Sequence, residues 1–418
     1  MNWRTPVLFL CLAAAALLLL TRLPGGEEER AVSYVSMEPL TICVATDPHL
    51  LAPSLTDHGE CFLRTITNAD GKVMRYSSEL TEAFFSQIAA ERPDLLIISG
   101  DLTFNGERES HEAFAAHCAK LEDAGVPVLV LPGNHDLNCP QAARFTGDTF
   151  ERAESIDASE FRTVYSAFGF DEAVSEDPAS LSYVVQPCPG LRVLLVDSNT
   201  AERDDAVPDE SFSWIEAQLK AARDAGDRVV AVSHQTVLQH NSRFAEGFVI
   251  ANRERLLRLY QRYHVAVNLS GHMHIQHIKQ ASGLTEIVTG ALSVQPCGYG
   301  VLRLDASGGV YERRVTDVSA WAEANGRDEP ELLDFAAYAE AFFQENTLRQ
   351  QSALPPEPAA FLADLNTAYF SGRMDLAPTD AAMLRALERT DAFTAAYVRS
   401  LAEDLGRDFT RLSFLFQE

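Results

Sequence analysis

The sequence predicts an α/β protein with two packed sheets flanked by helices, followed by an all-helical region over 326–418. Three observations carry this. Short apolar, β-branched runs alternate with longer segments of helical spacing from residue 40 onward. The connections between the runs are too irregular for one doubly wound sheet. Beyond residue 326 the runs give way to Ala, Phe, Tyr and Leu at helical spacing.

Taken in order, residues 6–20 are apolar almost without interruption, with Arg4 before and Arg22 after. This predicts a signal peptide or membrane anchor over 1–23, and the lack of a small-x-small cleavage site favours an uncleaved anchor on an exported protein. The charged stretch from Gly25 to Arg30 belongs to a tether over 24–36. The main folded unit, which carries the candidate site residues below, is expected over 37–325. Its first strand is Leu40–Ala45. A helix over 79–91 carries Leu80, Phe84 and Ile88 on one face and stops at Pro93. A strand over 95–99, a helix over 107–124 closed by Gly125, and a strand over 126–131 complete a βαβ rhythm. An irregular insertion runs from 137 to about 180. Strands return at 183–185, 192–196, 229–232 and 265–269, with helices over 212–225 and 253–263 between them. Later strands are expected at 287–288, 300–304 and 310–315. In the tail, helices are expected over 332–347, 359–369, 380–388 and 393–405, with Pro355, Pro356 and Pro358 as punctuation. Packing is the tail's expected principal role; substrate gating or formation of a homo-oligomer is the functional alternative.

Apolar residues make up 46% of the chain, enough for a large core. The net charge of −26 argues against nonspecific nucleic-acid binding, which needs a basic footprint. It does not exclude a small anionic ligand. Apart from Cys11, six cysteines remain (Cys43, Cys61, Cys118, Cys139, Cys188 and Cys297). None is spaced as a metal pair, and at most a partial disulfide set is expected.

The chemistry lies just beyond the strand ends. Asp47 and His49 are two residues apart and point the same way in an extended segment. Asp101 follows a buried strand and a glycine, where one carboxylate can offer an oxygen to each of two ions. Asn134 offers a neutral carbonyl oxygen. His234 adds one imidazole, and His272 and His274 converge from a turn. His135 can point past the metals to substrate, with Asp136 steadying it. These seven ligands suit two ions of Mn, Fe or Zn. Two such ions are the usual apparatus for displacement at phosphorus. Singly, each cluster is an ordinary turn or cap; five clusters, each after an apolar run, are not. His240 and Asn241, in a loop after His234, and Asn199, after another strand, are candidate substrate contacts.

In this order, Asp-x-His, Gly-Asp, Gly-Asn-His-Asp, Ser-His and Gly-His-x-His resemble the calcineurin-like metallophosphoesterase family over about 41–315. The resemblance implies a sandwich of two mixed sheets with helices outside. It implies one metal held by Asp47, His49, Asp101 and His274, and a second held by Asp101, Asn134, His234 and His272. His135 matches the residue near the leaving group. Phe104 stands where purple acid phosphatases carry a metal-binding tyrosine, so that charge-transfer chemistry is not expected. The Thr103-Phe104-Asn105-Gly106 segment, the Ser180-Leu181-Ser182-Tyr183 segment, the run from Gly271 to His277 and the helical tail look most like exported bacterial phosphodiesterases acting on cyclic nucleotides. The expected partner is therefore a small phosphodiester or nucleotide. A phosphomonoesterase or pyrophosphate-cleaving enzyme on a nucleotide or lipid headgroup is the alternative, and an anchored binding protein with a relict metal site is a third reading.

Overall fold

A computed structural model describes residues 34–67, 70–201 and 205–416. The predicted leader and most of the tether lie outside the described residues. Among the described residues no helix is long and apolar enough to cross a membrane.

The strands, in chain order, are β1 (Leu40–Ala45), β2 (Leu95–Ile98), β3 (Val128–Val130), β4 (Ala143–Thr146), β5 (Thr149–Arg152), β6 (Ser175–Glu176), β7 (Tyr183–Cys188), β8 (Leu191–Val196), β9 (Arg228–Ser233), β10 (Val267–Ser270), β11 (His277–Ala281), β12 (Leu284–Val288), β13 (Gly298–Asp305), β14 (Gly308–Val315) and β15 (Arg411–Leu415). One sheet has the order β15-β14-β13-β1-β2-β3, and the other β11-β12-β10-β9-β8-β7-β6. Both are mixed. β1, β2 and β3 run parallel, with β13 antiparallel against β1. β8, β9, β10 and β12 run parallel, with β7 and β11 antiparallel at their flanks.

Strand periodicity explains the layers. In β8, Val193 and Leu195 join an apolar cluster shared with Ile42, Val44, Leu96 and Ile98 of the first sheet. Their alternating neighbours Leu194 and Val196 face a second cluster with Phe212, Ile215, Leu219, Leu256 and Tyr260. Those residues come from the helices Ser211–Ala225 and Arg253–Arg262. A period of two thus sends one face of β8 to the other sheet and one to helices. Leu80, Phe84 and Ile88 of the helix Ser77–Glu91 bury as their spacing predicts.

The insertion after residue 137 is more regular than its sequence suggests. It holds the β4–β5 ribbon and the helix Ala158–Val164, which a capping box of Asp157 and Glu160 begins. The C-terminal helices Phe335–Gln350, Pro356–Phe370 and Ala392–Ala402 are present. The tail is not all-helical, however. Its last element is β15, which pairs antiparallel with β14 and extends the first sheet. Phe414 is the cause: it is buried against Gly309, where no side chain stands in its way. All six cysteines after Cys11 are free thiols.

Candidate metal centre

The parallel strands end together, and the turns that leave their carboxyl ends carry the ligands. Asp47 and His49 follow β1, Asp101 follows β2, and Asn134 follows β3. His234 follows β9, while His272 and His274 follow β10. Five of these seven hold the left-handed backbone region, with φ of 52° at Asp47, 47° at His49, 52° at Asp101, 66° at His272 and 58° at His274. Such a conformation costs roughly 1–3 kcal/mol at a non-glycine residue and persists only where the surroundings over-determine it. Here two glycines permit the crowding. A Cβ at Gly133 would lie 2.2 Å from Asp101 Oδ1, and one at Gly271 would lie 1.8 Å from Thr46 Oγ1.

Two ligand groups result. Asp47, His49, Asp101 and His274 form one, and Asp101, His234 and His272 form the other, with Asp101 common to both. Asn134 Oδ1 is 3.2 Å from His234 Nε2 and completes the second. Asp101 Oδ1 lies 3.4 Å from His234 Nε2, and Oδ2 lies 3.6 Å from His49 Nε2. Asp47 Oδ1 lies 3.4 Å from His274 Nε2.

Backbone carbonyls orient three of the imidazoles. His49 Nδ1 bonds Thr103 O, His234 Nδ1 bonds Ser99 O, and His272 Nε2 bonds Gly247 O. Each ring thereby presents its other nitrogen as a lone pair to the centre, the usual outer support of a metal-binding histidine. The carboxylates fit as well. Asp47 Oδ1 and Asp101 Oδ2 are buried and accept no hydrogen bond. A buried carboxylate oxygen without a donor is costly unless a cation meets it. The donor set is oxygen and imidazole nitrogen with no thiolate, which fits two borderline divalent ions.

The electrostatics of these side chains agree. Burial opposes the charged form of Asp101, yet His234 and His135 hold its pKa well below the ordinary value. Burial likewise opposes ionisation of Asp47, and His274 holds its pKa low. Burial disfavours protonated His234, but Asp101 pushes its pKa up to about 9. Burial, then the neighbouring His234, lowers His272 to about 4.

His135 stands beside the first group, its ring 5.1 Å from that of His49. Its Nδ1 bonds Phe104 O at 3.1 Å and lies 3.1 Å from Asn105 Oδ1. Nε2 remains without a hydrogen bond to any described residue. Asp136 is fully buried and accepts from the backbone amides of Leu102, Thr103 and Gly133, so it ties the Asp101 turn to the Asn134 turn. Burial and then Asp101 push its pKa up to about 7.

The three candidate substrate contacts are also used internally. His240 is buried, with Nδ1 2.8 Å from His277 Nδ1 and Nε2 3.3 Å from Glu286 Oε2. Asn241 donates to Tyr369 Oη and accepts from the Arg243 amide. Asn199 donates to Pro132 O and accepts from Gln235. Their polar atoms brace neighbouring elements in place of meeting a ligand. Phe104 packs in an apolar cluster with Leu51, Leu55 and Phe62.

A cavity of about 450 Å³ opens over the centre. Asp101, Asn134, His135, His272 and His274 form its floor. Its walls come largely from the C-terminal helices, through Phe343, Asn346, Gln350, Asn366, Tyr369, Phe370, Phe393 and Tyr397. Lys72 also lines it. These wall residues have no ligand-like spacing, because aromatic side chains at helical spacing look the same in a core and in a pocket. Others on the same helices, among them Phe335, Leu362, Leu365 and Leu401, do pack in the main core.

Comparison with known proteins decides the family. Residues 40–276 match the model of the calcineurin-like phosphoesterases. The chain belongs to that family. Residues 317–408 match the C-terminal domain of cyclic nucleotide phosphodiesterase. The chain is 28% identical over 187 residues to a glycerophosphodiester phosphodiesterase of Enterobacter lignolyticus, covering 44% of this chain and 57% of that protein. It thus spans little more than half the length of that relative. It is 26% identical over 263 residues to a probable cyclic nucleotide phosphodiesterase of Pseudoalteromonas, covering 63% of this chain and 82% of that protein. A dimetal phosphatase from Danio rerio superposes with a TM-score of 0.46 at 16% identity, covering 66% of this chain and 96% of that one.

Proposed function

We propose that the protein hydrolyses phosphodiesters, with cyclic nucleotides as the substrate class. The observation that carries this is the placement of a carboxylate shared by two ligand groups beneath a cavity walled by aromatic and amide side chains. Aromatic faces suit a base by stacking, and amides suit its polar edge. When bound, two ions supply positive charge to the phosphoryl oxygens and a water of lowered pKa as nucleophile.

The chain's own residues do the rest. Asn134 is solvent-exposed at the cavity floor and contributes an amide there without adding negative charge. His135 is held through Nδ1, which fixes Nε2 as the nitrogen facing bound substrate. A proton carried at Nε2 would pass to the departing alkoxide. Burial holds the pKa of His135 below the ordinary value, so the anionic phosphate is what would restore that proton. The walls from the C-terminal helices exclude water around the base.

A substrate panel on the full chain loaded with one defined metal tests the reading. Cyclic nucleotides, linear diesters and monoesters are compared by product release. Cyclic nucleotides should be preferred at least tenfold in kcat/KM. A preference for monoesters, or no hydrolysis with both ions bound, would reject it. We also propose that the enzyme works outside the cytoplasm, held by the apolar run at 6–20. Protease added to intact cells should then digest it, and full protection would count against that location.

A further inference from the structure

Lysine is rare in this chain: only four of its 34 basic residues are lysine. Lys120 and Lys220 are exposed, and Lys279 donates to Gln239 O. Lys72 differs from all three. It is 5% exposed and lines the cavity above the metal centre. Among the described residues its ammonium has no hydrogen-bond acceptor and no carboxylate within ion-pair distance, although Asp70 lines the same cavity.

The backbone holds Lys72 firmly against the ligand turns. Lys72 forms an antiparallel bridge with Val294, and Val73 N donates to Ser293 O at 2.8 Å. Ser293 Oγ in turn donates to Asp47 O at 2.8 Å. The lysine is therefore one residue removed from a segment hydrogen-bonded to a metal ligand. An ammonium that shares its cavity with two cations is repelled by them. That cost falls when an anion enters between them. A compact ammonium acts on phosphate as a point charge, where a guanidinium would impose a planar fork.

We propose that Lys72 anchors the scissile phosphate, its ammonium donating to a phosphoryl oxygen of substrate held over Asp101. Lys72 is thus a substrate-binding residue, and this rests on the phosphoester reading above. It need not hold the ions. Removing its positive charge leaves the ligand groups intact and relieves repulsion, so metal affinity stays level or rises.

Inorganic phosphate is the probe, because it tests the anchor whatever diester proves to be the substrate. The full chain is loaded with zinc, and phosphate affinity is measured by calorimetry for the wild type and for Lys72→Met. Loss of a charge-assisted contact should weaken phosphate binding about tenfold or more. Metal content should be undiminished, and KM for the best diester should rise more than kcat falls. Equal phosphate affinity in both proteins overturns the proposal, as does loss of an ion in Lys72→Met or failure of the wild type to bind millimolar phosphate. Should the variant not fold, carbon-13-labelled lysine in the wild type decides the matter. With four lysines the spectrum holds four Cε signals, and phosphate should move that of Lys72 while leaving those of Lys120 and Lys220 in place. An unmoved Lys72 signal at saturating phosphate also overturns it. Phosphate binding that responds to Lys72 without hydrolysis of any diester would sustain the anchor and reject the activity.

Discussion

Replacing Asp101 by Asn tests the central geometry, because the change keeps shape and removes one charge. Asp101 Oδ1 accepts from the His135 amide at 2.8 Å, and an Asn carbonyl can accept the same bond. The turn should therefore keep its path. The other atom changes character: Oδ2, 3.6 Å from His49 Nε2 and without a donor, becomes an amide that donates. A contact to a charged group is worth about 1.5–3 kcal/mol, so each ion should lose roughly ten- to a hundredfold in affinity. Because both groups share Asp101, both sites should weaken together. His49→Ala, by contrast, should weaken one site more than the other. The assay is metal stoichiometry after dialysis at a series of free metal concentrations, with turnover measured on the same samples. In the ion-free protein His234 should also titrate lower, since Asp101 is what holds its pKa up near 9 against burial. Two ions retained with unchanged affinity and full turnover would refute Asp101 as the shared ligand.

Three other outcomes are expected. His135→Ala should slow cleavage of a diester with a ribose leaving group about a hundredfold and that of a nitrophenyl diester far less, since a positioned acid matters most for a poor leaving group. Equal losses with both ions present would exclude proton donation. Glu107 is buried, which pushes its pKa up to about 7 although the Asn105 amide donates to it. Its folded pKa thus exceeds the unfolded value of about 4.3, so its contribution is intact below that pH and is lost as pH rises through about 7. Glu107→Gln should be more stable than wild type by up to about 3 kcal/mol at pH 8 and level with it near pH 4, as read by urea denaturation; a gap independent of pH would contradict this. Phe414→Ala should destabilise by about 3 kcal/mol, because the ring is buried where β15 crosses Gly309, and an unchanged urea midpoint would show β15 to be dispensable.

The ligands were legible because each stands where an apolar strand meets a turn. Gly100-Asp101 after β2 and Gly271-His272 after β10 show both signals at once, a buried strand and its punctuation. Chain order carried the rest, since strands running parallel must end on the same side. Other placements have physical causes too. His240 and Asn241 read as loop residues able to contact substrate. Glu286, buried in β12, accepts from the amides of Val237 and Leu238 and draws that loop inward, and no local pattern announces such a long-range acceptor. β15 was hidden because only Phe414 of its five residues is buried, so the alternation of a half-buried strand is missing. The cavity wall was hidden for the opposite reason: its aromatics fit a helical core pattern.

The pairing of β15 with β14 has a consequence for synthesis. The first sheet is built from strands between residues 40 and 315, yet its outer neighbour arrives only with residues 411–415. Until those residues have left the ribosome, β14 presents an open row of amides and carbonyls, with Val310 and Val315 exposed. An open edge is a template for pairing with another chain. At roughly 5–20 residues per second, the helices before β15 impose a wait of several seconds. A nascent chain stalled in that interval carries finished ligand turns on an unfinished sheet, and a chaperone that shields strand edges would find its client there.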